Sequence, residues 1–195
     1  DRGEENEILM VLGRVYEIIG RVDKAIEEIT VLMKLEPQLV NLMIYLARLY
    51  SMNEQPEETI RLIKEAVKVE QGNDTLYHSL ALAYISVGQV DHAIINMQKA
   101  ISINKNKDSY YFELGALFER IGKFELAIQN IKRAIELNPM HSNAHNFLGY
   151  IYAMQGKSLD KALGHLHTAL SIQPRNGYFL DSLSWIRSEE HTSEL

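Results

Sequence analysis

Cysteine is absent from this 195-residue sequence. Its absence excludes disulfide bonds, thiolate metal sites and a cysteine nucleophile. A chain without thiols suits reducing and oxidising compartments equally well, so the compartment stays open. The chain begins at Asp1 rather than methionine, and any signal peptide would lie upstream of Asp1.

Basic residues are also fewer than acidic ones, so the net charge is -6 and the pI is about 5.7. No general positive field attracts phosphate backbones or anionic lipids, so we expect no nucleic-acid partner. No stretch approaches the roughly 18 to 20 apolar residues of a membrane-spanning helix, and we expect no membrane insertion. The 46% hydrophobic and 24% charged content is that of a folded globular protein with a sizeable core.

What the sequence does have is a repeat every 34 residues. A leucine recurs at this spacing, a small residue follows it directly, and an aromatic residue stands four places after it. Agreement over five units indicates tandem structural repeats. The leucines are Leu12, Leu46, Leu80, Leu114 and Leu148; the small residues are Gly13, Ala47, Ala81, Gly115 and Gly149; the aromatics are Tyr16, Tyr50, Tyr84, Phe118 and Tyr152.

Each repeat carries the pattern of two helices. Apolar residues fall three and four apart, as in AIQNIKRAIEL, which is helical spacing. The break between the helices holds a glycine suited to a left-handed backbone. An aspartate stands near the start of the next helix, where its carboxylate can interact with the free amides of the first turn. The glycines are Gly20, Gly88, Gly122 and Gly156, and the aspartates are Asp23, Asp91 and Asp160.

The segment LGALFERIGKFELAIQNIKRAIELNP resembles the tetratricopeptide repeat family, and the resemblance extends over about residues 6 to 186. It implies an all-α fold, a right-handed superhelical α-solenoid of antiparallel helix pairs forming one domain. The implied repeats are about 6–39, 40–73, 74–107, 108–141 and 142–176, with a partial repeat at 177–186. One departure from the family pattern is Thr59, which stands in place of an alanine and is expected to weaken the core locally.

The 34-residue pattern is not continued at the C-terminus. The aromatic place of a sixth repeat falls on Arg187, and residues 187–195, RSEEHTSEL, match the translation of a sequencing adapter in common use. We therefore interpret residues 187–195 as a non-native tail and expect the natural protein to continue on at least one side.

No catalytic or metal-binding set stands out. His141 and His145 are four apart, but His141 lies in a turn, His145 takes a packing place, and no third ligand accompanies them. His165 and His167 are two apart and point to different faces, so surface positions are expected for both. No Ser/His/Asp set or acidic pair is apparent. We expect no enzyme activity, no metal and no cofactor.

The resemblance places the first helix of each repeat along a concave groove. Its basic end and apolar middle predict a peptide or protein partner with hydrophobic anchors and a carboxylate. The alternative is that some of these residues merely pack against a neighbouring repeat or against segments missing from this sequence. The candidate groove residues are Met10, Arg14, Ile44, Tyr45, Arg48, His78, Leu82, Phe112, Asn146, Phe147 and Tyr150.

The function predicted from the sequence is that of a protein-interaction scaffold. A first alternative is an accessory arm of a larger enzyme, or of an envelope or export assembly. A second is a self-association module acting through the exposed ends of the stack. LGYIYAMQGKSLDKAL followed by NGYFLDSLSWI resembles repeat proteins of bacteria, many of them exported or envelope-associated, and leaves the location open between cytoplasm and envelope.

Overall fold

A computed structural model describes residues 2–156 and 158–193 of the chain. These residues form eleven α-helices, and no strand occurs within the two ranges. No helix in the described part of the chain is long and apolar enough to span a bilayer. The helices are α1 (Arg2–Ile18), α2 (Val22–Leu35), α3 (Val40–Met52), α4 (Pro56–Val69), α5 (Asp74–Ser86), α6 (Val90–Ile103), α7 (Asp108–Arg120), α8 (Phe124–Leu137), α9 (Ser142–Met154), α10 (Leu159–Ile172) and α11 (Gly177–Ser193).

The helices form tandem hairpins in two compact units. The first unit ends at Ile103 and contains three hairpins, in which α1 packs against α2, α3 against α4 and α5 against α6. The second unit begins at Asn104 and contains two hairpins, α7 with α8 and α9 with α10, followed by α11. Within each unit the second helix of a hairpin also contacts the first helix of the next. The fold is therefore of the all-α solenoid class that the sequence predicts.

Left-handed residues end the first helix of each hairpin. The four predicted glycines have φ between 63° and 75°, a conformation that costs little without a Cβ. In the second hairpin Glu54 adopts the same conformation with φ 56°, and Pro56 begins α4 directly after the turn. Proline suits this first helical position because its missing amide has no helical partner there.

Small residues let the two helices of a hairpin approach closely. A Cβ added to Gly149 would lie 2.9 Å from the carbonyl oxygen of Ala162, so α9 and α10 touch through their backbones. Thr59 occupies a buried place in the second hairpin, and its hydroxyl shares its one proton between the carbonyls of Ala47 at 3.2 Å and Gln55 at 3.1 Å. Because its hydroxyl is paired, the burial of this polar group carries little penalty.

The last described helix, α11, belongs to the core of the second unit. Phe179 and Ile186 are buried in a cluster with Leu166 of α10, whereas Arg187 and Ser188 are exposed. The helix continues to Ser193, because residues after 186 include good helix formers. Residues 194 and 195 of the expected non-native tail lie outside the described residues. The single domain over 6–186 and the tail at 187–195 stay predictions.

Candidate functional site

A pocket of about 620 Å³ opens between α3 and α5 in the first unit, above α4. Three candidate groove residues, Ile44, Arg48 and Leu82, line it, and most of its surface is apolar. Ile63 of α4 and Leu76 of α5 are buried residues that lie in its wall. The remaining lining residues are Ala47, Ser51, Glu54, Pro56, Thr59, Ser79, Ala83 and Ser86. We call this site the α3–α5 pocket.

The pocket is open because Ser79 lines it at a repeat place that holds an aromatic ring in two other first helices. Ser79 stands 34 residues after Tyr45 and 68 before Phe147, so the same repeat position holds an aromatic ring in α3 and in α9. In the second unit the rings of Phe112 and Phe147 pack edge to face, with centroids 5.8 Å apart. Ser79 therefore leaves the space in α5 that an aromatic ring takes elsewhere.

One of the two arginines at the basic end of the predicted groove, Arg48, is paired with an acidic residue that the sequence analysis did not select. Both terminal guanidinium nitrogens of Arg48 donate to Glu17, with Nη1–Oε1 at 2.5 Å and Nη2–Oε2 at 2.9 Å, and the Tyr45 hydroxyl donates to Oε2 at 3.0 Å. These residues line a second pocket of about 440 Å³ with Met10 and Arg14. Glu17 stands three residues after Arg14 on α1, and this helical spacing was the only signal in the sequence that could have found it.

Electrostatic interactions within this network keep both Glu17 and Arg48 charged. The hydrogen bond from Arg48 keeps the pKa of Glu17 below its usual value, while burial and the bond to Glu17 raise the pKa of Tyr45 to about 12. The hydrogen bond with Glu17 raises the pKa of Arg48. Bidentate pairing satisfies the guanidinium fork, so Arg48 is already engaged by a carboxylate of its own chain.

The remaining candidates differ in their surroundings. His78 lies half-buried on α5 and lines neither of these two pockets. In the second unit Phe112 also contacts the His141 ring at 4.9 Å, and Tyr150 contacts the Trp185 ring at 5.4 Å. The side-chain oxygen of Asn146 is buried without a hydrogen-bond partner. The aromatic candidates of the second unit thus contact one another or neighbouring rings, as packing residues do.

A histidine pair lies in the core of the second unit. His145 is buried, and its Nδ1 lies 3.1 Å from Nδ1 of His165, which is half-buried rather than at the surface as predicted. The carbonyl of Pro139, 3.1 Å from Nε2 of His145, can only accept, so this nitrogen carries a proton and Nδ1 of His145 accepts from His165. Among the described residues no group of three or more His, Cys, Asp or Glu could hold a metal ion.

This pair predicts an acid-sensitive second unit. Burial lowers the pKa of His165, and the neighbouring His145 and Lys132 lower it further, so the unfolded chain takes up this proton at higher pH than the folded one. The contribution of neutral His165 to the free energy of unfolding is therefore fully present above the pKa of the unfolded chain, near 6.5. It is lost as the pH falls through the lower pKa of the folded protein. We expect His165→Gln to flatten the fall in unfolding free energy between pH 7.5 and 5.5, measured by urea denaturation.

The matched control is His167→Gln, which changes an exposed histidine two residues away on the same helix. It should leave the pH dependence as in the parent protein. An unchanged slope for His165→Gln would contradict the assignment of this proton to the buried pair.

Comparisons with known proteins agree with this architecture. Profiles described as tetratricopeptide repeat match residues 74–107 and 112–176, together about half of the chain. No curated protein matches it. Among solved structures, the MamA protein is 25% identical with a TM-score of 0.77, over 89% of this chain and 94% of that one.

Two further solved structures share the fold. YrrB, described as a tetratricopeptide repeat protein with an unusual peptide-binding site, is 20% identical over 90% of each chain with a TM-score of 0.73. A tetratricopeptide repeat protein from Parabacteroides merdae is 17% identical over 96% of this chain and 74% of that one, with a TM-score of 0.85. With the 34-residue period, the paired helices and the two profile matches, the chain belongs to the tetratricopeptide repeat family.

Proposed function

We propose that this protein is an interaction scaffold whose α3–α5 pocket holds an apolar segment of a partner polypeptide. The observation that carries the proposal is the pocket itself, about 620 Å³ and mostly apolar in lining. Its volume lies within the roughly 300–1,000 Å³ typical of ligand sites. Repeats of this family generally serve as scaffolds, and the proposal assigns this chain no catalytic residue.

The energy of binding comes from apolar side chains left partly exposed at the pocket mouth. Ile44 on α3 is 38% exposed and Leu82 on α5 is 46% exposed. A ligand that covers them gains roughly 25 cal/mol for each Å² of apolar surface removed from water. A partner side chain such as leucine, isoleucine or phenylalanine fits this chemistry, and it enters where Ser79 leaves room.

The polar groups of the pocket suit a peptide backbone. Ser51 and Ser79 place hydroxyl groups in the lining, and hydroxyls both donate to and accept from amide groups. Since Glu17 already occupies Arg48, we propose that apolar anchors, rather than a partner carboxylate, dominate recognition. This refines the hypothesis that the groove recognises a carboxylate. The peptide-binding site named for YrrB is consistent with peptide recognition by this fold.

The experiment begins with selection of peptides from a random display library on the unmodified protein. The affinity of a selected peptide is then measured by titration calorimetry for Ser79→Phe. We expect binding at least tenfold weaker, because the ring fills the pocket as Phe147 fills the same repeat place in α9. Folding should be retained, which circular dichroism checks.

The matched control is Ser102→Phe, which adds the same ring to an exposed serine on α6. It should bind the peptide like the parent protein. Selected peptides without apolar anchors, or equal affinity for Ser79→Phe and the parent, would overturn the proposed site.

A further inference from the structure

The turn between α3 and α4 holds a residue in a strained backbone conformation. Glu54 has φ 56° and is the only residue other than glycine with a positive φ in the described part of the chain. The equivalent place in the other four hairpins holds a glycine. Left-handed backbone is unfavourable for a residue with a Cβ, and asparagine is among the few that tolerate it. An asparagine, Asn53, stands directly before Glu54 but keeps a φ of -92°, so the left-handed place is occupied by the glutamate.

Strain of this kind points to a use for the side chain that causes it. Glu54 is exposed and lines the α3–α5 pocket. Among the described residues its carboxylate makes no ion pair. A glycine in its place would remove both the strain and the carboxylate. The chain therefore bears a conformational cost where it sets an acidic group beside the pocket.

The charge left over at the α3–α5 pocket is negative. Of the residues that line it, two are charged, Arg48 and Glu54. Arg48 is already paired with Glu17, so its positive charge is compensated within the chain. The carboxylate of Glu54 is not compensated in this way. The net charge of -6 adds a general attraction for cationic segments.

The C-terminal turns of two helices also border the pocket. Ser51 of α3 and Ser86 of α5 line it and lie in the last turns of their helices. Neither last turn contains a basic residue, although the free carbonyl groups at a helix C-terminus favour a cation. The positive end of α4 reaches the pocket at Pro56, but Glu57 and Glu58 in its first turn offset it. These groups together suit a positively charged ligand group.

We propose that Glu54 binds a lysine or arginine side chain of the partner polypeptide, beside the apolar anchor that the α3–α5 pocket holds. This inference rests on the proposed function and narrows it. The partner segment carries an apolar side chain and, within a few residues of it, a basic one. Its charge is opposite to that of the carboxylate that the sequence analysis predicted for the groove.

The first test repeats the peptide selection on Glu54→Lys. On the parent protein we expect lysine and arginine to be enriched near the apolar anchor, and on Glu54→Lys we expect aspartate and glutamate there instead. The apolar anchor should persist in both sets, because the apolar lining is unchanged. The control is Glu36→Lys, which makes the same charge change at an exposed residue of the first unit outside the pocket lining. It should select the same peptides as the parent.

The second test measures two further variants with a selected basic peptide. Glu54→Gln and Glu54→Gly should each bind it about fivefold more weakly in titration calorimetry, the upper range for one exposed ion pair. The difference from the parent should shrink with added salt, which screens the pair. Glu54→Gly should also unfold at a higher urea concentration than the parent, because glycine adopts the left-handed backbone without strain.

Three results would overturn the inference. They are the same enrichment on Glu54→Lys as on the parent, parental affinity of Glu54→Gln for the basic peptide, and a urea midpoint that does not rise in Glu54→Gly. Failure of the proposed function is a different result, namely equal affinity of Ser79→Phe and the parent. If Ser79→Phe loses binding and Glu54→Gln does not, the pocket is retained as the site and its preference for a basic partner is rejected.

Discussion

Replacement of Phe179 by alanine is expected to destabilise the second unit by about 3 to 5 kcal/mol, the range for deletion of a buried aromatic side chain. Phe179 is only 2% exposed and lies in the cluster that joins α11 to α10 through Leu166 and Ile186. When the ring is removed, the surrounding residues relax only partly into the cavity that it leaves. Trp185 is the only tryptophan in the chain and lies on α11. Its fluorescence during urea denaturation therefore measures the decrease in the free energy of unfolding.

Tyr178→Ala is the matched control for this prediction. Tyr178 precedes Phe179 in the chain but is 83% exposed, so its removal should change the unfolding free energy by no more than about 0.5 kcal/mol. Equal effects of the two substitutions would show that α11 does not pack on α10 as described.

The second large effect is expected at Gly149. In Gly149→Ala the new Cβ would lie 2.9 Å from the carbonyl oxygen of Ala162, and a backbone atom cannot rotate away as a side chain can. We expect a loss of about 1 to 3 kcal/mol, the usual cost of overpacking a core. Chemical denaturation followed by circular dichroism measures it.

Gly164→Ala supplies a control with the opposite sign. Gly164 lies within α10 and is exposed, and a Cβ added there would meet no atom within 4 Å apart from the neighbouring backbone of its own helix. Alanine there should stabilise the protein by about 0.5 to 1 kcal/mol, because glycine within a helix carries an entropic cost. A stabilising Gly149→Ala, or equal changes at both glycines, would contradict the close approach of α9 and α10.

The repeat period made much of the fold predictable. A leucine and a small residue at constant spacing occupy the same packing place in the second to fifth hairpins, so one interpretation applies to all four. The leucine of the first hairpin, Leu12, is 36% exposed. Gly20 shows the same logic, since only a left-handed residue connects helices by so short a turn, and its φ is 75°. Thr59 was identified as a departure, but its hydrogen bond to the carbonyl of Ala47 on α3 depends on a contact between helices that no sequence pattern specifies.

The candidate site was predicted less completely, for two physical reasons. The α3–α5 pocket arises from a missing side chain at Ser79, and a search for large or charged residues along the groove passes over serine. Arg48 was selected as a partner for a ligand carboxylate, whereas the structure pairs it with Glu17 of α1. That contact joins residues on different helices, and its direction is set by packing rather than by spacing along one helix.

His165 illustrates the same limit within the second unit. Its separation from His167 indicates different faces, and the sequence offers no sign of which face meets His145. The contact depends on how closely α9 approaches α10. In the structure the Nδ1 atoms of His145 and His165 lie 3.1 Å apart.

Methyl-resolved NMR of the protein with a selected peptide tests the proposed function most directly. If the α3–α5 pocket is the site, the largest shift changes fall on the methyl groups of Ile44, Leu82 and Ala83. Shift changes confined to exposed methyl groups on second helices, such as those of Val31 on α2 and Ile95 on α6, would contradict the proposed site.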